Sequence, residues 1–329
     1  MLNVEPIIFD FDKGKFLILN QLALPLKEEY IELNTIEDVY NAIKEMKVRG
    51  APLIGIVALL GLYLGNDLYN DMEYLKKSRP TAVNIFNYYE QLKQKIKDEN
   101  NYKEVVRDFI IETINKEKFK NLQLSSNGFN LVRSLVNKEK INFLTHCNTG
   151  SIATIGLGTA LGVIKFTHRQ MPGKVFVWVD ETRPYLQGSR LTAWELEKEN
   201  IDFKIITDSA AAFVMKHGLV DVICVGADRI AKNGDTANKI GTLNLAILSK
   251  YYKIPFIVVA PSSSIDYNLE NLQNLKVEER DKREILGFKD VLVTKLDYPV
   301  YNPSFDITPA NLIDYIVLEK GVYSYPYKF

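Results

Sequence analysis

INFLTHCNTGSIATIGLGTALGVIKFTHRQMPGKVFVWVD, residues 141–180, decides the fold. A β-prone apolar run (141–147) is followed by a helix-length segment, SIATIGLGTALGVIKFT, and then by a second β-prone run, KVFVWVD (174–180). Strand, helix, strand is the unit from which open parallel sheets are built. The pattern continues downstream, with strands expected at DFKIITD (202–208), DVICVGAD (221–228) and PFIVVAP (255–261). RLTAWELEKEN, SAAAFVMKHG and ANKIGTLNLAILSKYYK are the helices expected between them. Strands that read as near-continuous apolar runs fit a sheet covered on both faces.

Upstream the texture differs. PIIFDFDKGKFLILNQ reads as a hairpin, two β-prone runs about the turn Asp12-Lys13-Gly14. From Thr35 to about Lys118 the spacing of apolar residues is helical, with Thr35 placed to cap TIEDVYNAIKEMKV. A second helix follows RGAP, a third follows RPTAVN, and a fourth covers NYKEVVRDFIIETINKEKF. The polar stretch KNLQLSSNG is the one visible boundary signal. The expectation is an α/β protein: a mainly helical domain over 1–125 with a small hairpin at its start, then an open parallel-sheet domain over 126–329.

Composition narrows the function. Lys+Arg and Asp+Glu both number 41, so the basic excess of a nucleic-acid binder is absent. Lys76-Lys77-Ser78-Arg79 is the best candidate for a local basic patch. With two cysteines, no C-x-x-C and three histidines, neither a structural zinc site nor a disulfide framework is expected. The N-terminal residues lack the basic and apolar regions of a signal peptide. The longest apolar run, Ala51 to Leu64, is broken by Pro52, Gly55 and Gly61 and is too short for a membrane span. A cytoplasmic protein, without nucleic acid or membrane as partner, is the expectation.

Chemistry gathers at the strand ends. Cys147, Asp180-Glu181, Asp208, Asp228 and Ser262 each close a strand, and open α/β sheets bind ligands just beyond the carboxyl ends of their strands. The plainer reading of any one carboxylate is that it caps the next helix. Asp228 fits that less well, because a glycine-containing turn follows it in GADRIAKNGD. Cys224, mid-strand, reads as an inert buried thiol. Cys147 stands at a strand end before the helix expected at Ser151, where a helix N-terminus favours the thiolate. His146 points to the opposite face of the strand and reads as structural. Arg49, Gly50 and Ala51 precede Pro52 at a helix start, a ready anion site beside a guanidinium. Arg79, with Pro80 at the first helical position, and Lys239, opening a third helix, extend that theme toward a phosphorylated ligand. Gly156, Gly158 and Gly162 come too late after the strand for a dinucleotide loop and read as helix-packing positions.

The chain resembles the methylthioribose-1-phosphate isomerases through VRGAPLIG, SRPTAVN, LTHCNTGSIATIGLGTALGVI, VDETRPYLQGSRLTAWEL, VGADRIAKNGDTANKIGT, PFIVVAPSSSID and YNPSFDITP, in family order over nearly its whole length. That family shares its fold with ribose-1,5-bisphosphate isomerases and the regulatory subunits of translation initiation factor 2B. The resemblance implies a helical N-terminal domain, a Rossmann-like C-terminal domain and a homodimer. It implies conversion of 5-methylthioribose 1-phosphate to 5-methylthioribulose 1-phosphate in methionine salvage, with a phosphorylated pentose as partner and neither metal nor redox cofactor. It implies Cys147 and Asp228 as the catalytic pair, and Arg49, Gly50, Ala51, Arg79, Gln187, Asn238 and Lys239 as substrate-binding residues. Departures are Leu53 and Thr149, where alanine is frequent in the family, and a short segment between Val291 and Pro299. They leave 5-deoxyribose 1-phosphate and ribose 1,5-bisphosphate open as substrates, and a non-catalytic regulatory subunit as the reading from another class. The mechanism expected is protonation of the ring oxygen by Asp228, its carboxyl kept neutral by partial desolvation. Cys147 then acts either as base in a phosphoenolate route or as stabiliser of a hydride shift.

Overall fold

Contacts divide the chain into two units, Met1–Asn121 with Thr149–Gly158, and Leu122–Asn148 with Thr159–Phe329. The first unit includes ten residues from beyond the boundary expected between 125 and 126. The computed structural model describes residues 4–80, 82–98, 101–288 and 291–329. The first three residues of the N-terminal reading, and Thr81 of SRPTAVN, lie outside the described residues.

The first unit opens with the expected hairpin, β1 (Ile7–Asp10) and β2 (Lys15–Leu19), extended by a short β3 (Tyr30–Glu32). Thr35 caps α1 (Ile36–Lys44) in a full capping box: its Oγ1 accepts from the amide of Asp38, whose carboxylate accepts from the amide of Thr35. The next helix, α2 (Ala51–Leu64), is apolar on every side, as a helix must be when neighbours surround it. It packs against α1, α3 (Leu68–Lys76), α4 (Val83–Lys93) and the single turn α6 (Ser151–Thr154). The helix α5 (Tyr102–Leu135) contributes its residues up to 121 to this unit and the remainder to the next.

In the second unit all five expected strands are found, as β4 (Ile141–Thr145), β5 (Val175–Asp180), β6 (Asp202–Ile206), β7 (Val222–Val225) and β10 (Phe256–Val259). With β15 (Tyr315–Leu318) they pair in parallel in the order β6-β5-β4-β7-β10-β15, and β16 (Gly321–Ser324) adds an antiparallel edge. In chain order the six parallel strands run 3-2-1-4-5-6, the doubly wound arrangement whose connections reverse between the first and fourth strands. Helices α7 (Ala160–Gln170), α8 (Ala193–Lys198), α9 (Ala211–Lys216) and α10 (Thr242–Tyr252) connect them. A smaller sheet joins β8 (Arg229–Ala231), β9 (Thr236–Lys239), β11 (Ile265–Asp266) and β14 (Phe305–Thr308). The turn α11 (Arg283–Leu286) leads into a two-stranded ribbon, β12 (Gly287–Phe288) with β13 (Val291–Leu292).

Several local expectations are corrected. The segment read as one helix from Ser151 is two, separated at 155–159, so Gly156 and Gly158 lie in the break and not within a helix. ANKIG is mostly strand β9, so Lys239 ends a strand instead of opening a helix. Pro80 is not at a first helical position, since α4 begins at Val83 with Ala82 as its cap. Lys76 is paired with Glu73 at 2.5 Å and lies over the Phe86 ring, so the run 76–79 is no simple cationic stripe.

Candidate active site

The strand β4 runs beside β7 with Thr145 opposite Cys224. Cys147 therefore leaves the sheet two residues past Thr145, and Asp228 four residues past Cys224, from the same ends of adjacent strands. These are the first and fourth strands in chain order, where the connections diverge and a crevice opens. Both residues thus follow the carboxyl ends of adjacent strands, the edge at which sheets of this kind bind ligands.

Cys147 adopts φ +64°, a left-handed conformation unusual for a residue with a side chain. Both its backbone groups are tied down. Its amide donates to Oγ1 of Thr182 at 2.8 Å, and its carbonyl accepts from Oγ1 of Thr192 at 2.6 Å. Thr182 in turn donates through its hydroxyl to the Asp180 carbonyl and through its amide to Asp208. Cys147 is 9 % exposed. The helix expected to follow is the one-turn α6, too short to carry much of a helix dipole. Cys224, fully buried in β7, has its thiol pKa pushed far up by desolvation.

Asp228 begins the loop between β7 and β8. Its amide donates to the Ala237 carbonyl at 3.0 Å, and continuing the β8–β9 register by one residue sets Asp228 opposite Asn238. Asn238 is buried, its Nδ2 donating to Oγ1 of Thr242. Lys239 donates to the Ser304 carbonyl at 2.8 Å and lies over the Phe305 ring. Asp228 is exposed. Gln187, next to the π-helical turn Gly188–Thr192, is 4 % exposed with its Oε1 buried and without a hydrogen-bond partner. A buried amide oxygen left so is costly unless a ligand supplies a donor.

His146 is a strut. Its Nδ1 lies 2.9 Å from Oδ2 of Asp180 and its Nε2 2.8 Å from the Ile240 carbonyl, leaving no ring nitrogen for the thiol. Asp208 accepts from the amides of Thr182 and Arg183. His146, Asp180 and Asp208 bring ligand atoms within 4.8 Å of one another, the spacing of a metal site. Yet the ring nitrogens and the Asp208 oxygens already serve as hydrogen-bonding groups, so the trio fits a brace under the Thr182 loop better than a cation cage.

In the first unit, Gly50 takes φ +90° at the start of α2, which no side chain caps. A β-carbon there would stand 2.2 Å from the Ala153 carbonyl oxygen, so only glycine fits. Arg49 is buried beside it and Ala51 is exposed at the first helical position. Arg79 is half-buried ahead of α4. Sequence reasoning passed over Thr182, Thr192, Lys165 and Glu195; hydroxyls that grip a backbone and a buried ion pair carry no spacing signal.

The model of the Initiation factor 2 subunit family matches residues 29–325. A methylthioribose-1-phosphate isomerase of Natranaerobius thermophilus is 46% identical, with 98% of this chain and 96% of that protein aligned. The crystal structure of 5-methylthioribose 1-phosphate isomerase from Pyrococcus horikoshii superposes with a TM-score of 0.90 at 38% identity, covering 98% of this chain and 93% of that one. A structure described as translation initiation factor eIF-2B subunit delta from A. fulgidus gives a TM-score of 0.84 at 33% identity, over 98% of this chain and 96% of that one.

Proposed function

The chain belongs to the Initiation factor 2 subunit family, among the methylthioribose-1-phosphate isomerases, and from that premise we propose that it converts 5-methylthioribose 1-phosphate to 5-methylthioribulose 1-phosphate. The observation that carries the reading is Cys147 and Asp228 leaving adjacent strands at the reversal of a 3-2-1-4-5-6 sheet. The 1-phosphate blocks the anomeric oxygen, so the ring cannot open through a free hydroxyl. Asp228 protonates the ring oxygen as the C1–O bond breaks, the hydrogen on C2 moves to C1, and the 2-hydroxyl gives its proton to the Asp228 carboxylate as C2 becomes the ketone, which restores the acid. In the enolate route Cys147 removes the C2 proton and returns one to C1; in the hydride route the thiol flanks the migrating hydrogen. Because Asp228 is exposed in the chain by itself, the bound sugar covers the carboxyl in this proposal. Arg49 with the α2 start, Gly50 and Ala51, binds the phosphate, and Arg79, Gln187, Asn238 and Lys239 hold the remaining oxygens.

A homodimer working in the cytoplasm belongs to the same proposal. The exposed Phe213, Ile247 and Tyr251, on the mutually packed α9 and α10, support a covered face. Among the described residues no helix is long and apolar enough to cross a membrane.

The test is turnover of 5-methylthioribose 1-phosphate beside 5-deoxyribose 1-phosphate and ribose 1,5-bisphosphate. The methylthio sugar should show the highest kcat/KM. No turnover of any of the three would return the chain to the non-catalytic reading that the initiation-factor likeness keeps in view.

A further inference from the structure

A buried chain of hydrogen bonds ends on Cys147, and the chemistry above makes no use of it. Lys165 of α7 and Glu195 of α8 form an ion pair with Nζ 2.6 Å from Oε2, both side chains wholly buried. The other carboxylate oxygen accepts from Nδ2 of Asn148 at 2.9 Å. That amide also donates to Oγ1 of Thr192 at 3.3 Å, and Thr192 donates to the Cys147 carbonyl at 2.6 Å. The π-helical turn Gly188–Thr192 feeds directly into α8, and Thr192 and Glu195, three residues apart, share one face.

The direction of these bonds follows from chemistry. An ionised carboxylate only accepts and an ammonium only donates. Glu195 therefore obliges Asn148 to present its NH2 group, Thr192 receives one of those hydrogens, and its own hydroxyl proton is left to point at Cys147. A neutral amide at 195 could face Asn148 either way, and the polarity of the relay would be lost. Burying such a pair is expensive, and similar volumes of apolar side chain usually serve stability as well or better.

We propose that Glu195, held by Lys165, is a positioning residue for Cys147: acting through Asn148 and Thr192, it fixes the left-handed backbone at 147 and with it the placement of the thiol. The proposal rests on the isomerase reading only for its kinetic arm.

The experiment uses the full chain in a Cys224→Ser background, so that iodoacetamide reports on Cys147 alone. Glu195→Gln by itself would leave Lys165 buried with Glu199 4.0 Å away as its remaining counter-ion, a variant at risk of not folding. The paired variant Lys165→Met, Glu195→Gln removes both charges, and Thr192→Val cuts the last link while leaving the ion pair intact. Both should keep KM within about twofold, lose at least about tenfold in kcat, and shift the pH profile of Cys147 alkylation, as expected when a reacting group is displaced by a fraction of an ångström. Melting of the paired variant should stay near that of the parent. A folded paired variant or Thr192→Val protein with parental kcat overturns the proposal, and so does a kcat loss with an unchanged alkylation profile. Should the parent itself not turn over the sugar phosphate, the proposed function fails and the alkylation profiles alone decide this inference.

Discussion

Two thiols on neighbouring strands have opposite surroundings. Cys224 lies within the β7 ladder, fully buried, its pKa driven upward by the apolar layer around it. Cys147 lies just past the end of β4, where the chain has left the ladder and turned into the left-handed region. Inside the sheet, backbone hydrogen bonds are made by other backbone; past its end they must be made by side chains, and Thr182 and Thr192 make them. A strand interior thus offers burial without aim, while a strand end offers a side chain held by chosen partners.

Breaking that contrast is the most direct test. Cys147→Ser keeps the size and loses the acidic thiol, and kcat should fall at least about a hundredfold with the fold intact, as for a lost acid–base group. Cys224→Ser should leave turnover near parental. Equal losses at both positions would erase the distinction.

The contrast sharpens at the neighbouring strand end. Asp228→Asn keeps shape and hydrogen bonding but cannot deliver a proton, so substrate should bind while turnover slows at least about a hundredfold. If Asp228 only shapes its loop, Asn should substitute well. Near-parental turnover in the Asn variant, measured with an unchanged pH profile, would leave Cys147 as the one catalytic assignment.

Away from the sheet ends, the first unit should affect binding more than chemistry. Arg49→Ala should weaken binding of the phosphorylated sugar by roughly 1.5–3 kcal/mol, the range for a charge-assisted contact, with kcat little changed. Isothermal titration with the sugar phosphate and its unphosphorylated counterpart gives the comparison; equal affinities for the two would remove the anion site.

The smallest effect is expected from the brace beneath Cys147. Burial opposes charge on His146, but the hydrogen bond and charge of Asp180, aided by Asp208, outweigh it and leave the His146 pKa raised. Burial pushes Asp180 up to about 6, against the pull of His146 and with the repulsion of Asp208. Asp306 also faces the imidazole, and its carboxyl is raised by desolvation. A group whose pKa is raised on folding stabilises below its unfolded pKa and loses that contribution as pH climbs through the folded value. The melting temperature should therefore decline as pH rises above the unfolded histidine reference near 6.5. His146→Gln should flatten that decline, and an equally steep decline in this variant would assign it to other groups.

What could be read from the sequence was what repeats. Five parallel strands, the hairpin and the Thr35 cap announce themselves through periodicity or a local motif. The break between α6 and α7 does not, because it depends on distant partners. Asn121 donates to the Glu117 carbonyl and accepts from Oγ1 of Thr154 and the amide of Gly158. Ile155 at φ +95° and Gly158 at φ +109° complete the turn. The same Asn121 and the buried Ser125 belong to the polar stretch read as a boundary signal, yet α5 runs straight through it. Their polarity is satisfied inside, which composition cannot reveal. Of the candidate site, the places of Cys147 and Asp228 just past strand ends were legible in the sequence, whereas Glu195 and Lys165 resemble ordinary helix-surface charges.

The first unit's return for Thr149–Gly158 has a consequence for the order in which this protein is made. A ribosome releases residues 1–121 well before α6, the turn that meets Gly50 and supplies a carbonyl to Gln21. Until residue 158 has emerged, α2 lacks that neighbour. A nascent chain stopped at residue 125 should accordingly resist protease less well than one stopped after β5, even though α1 to α4 are already complete.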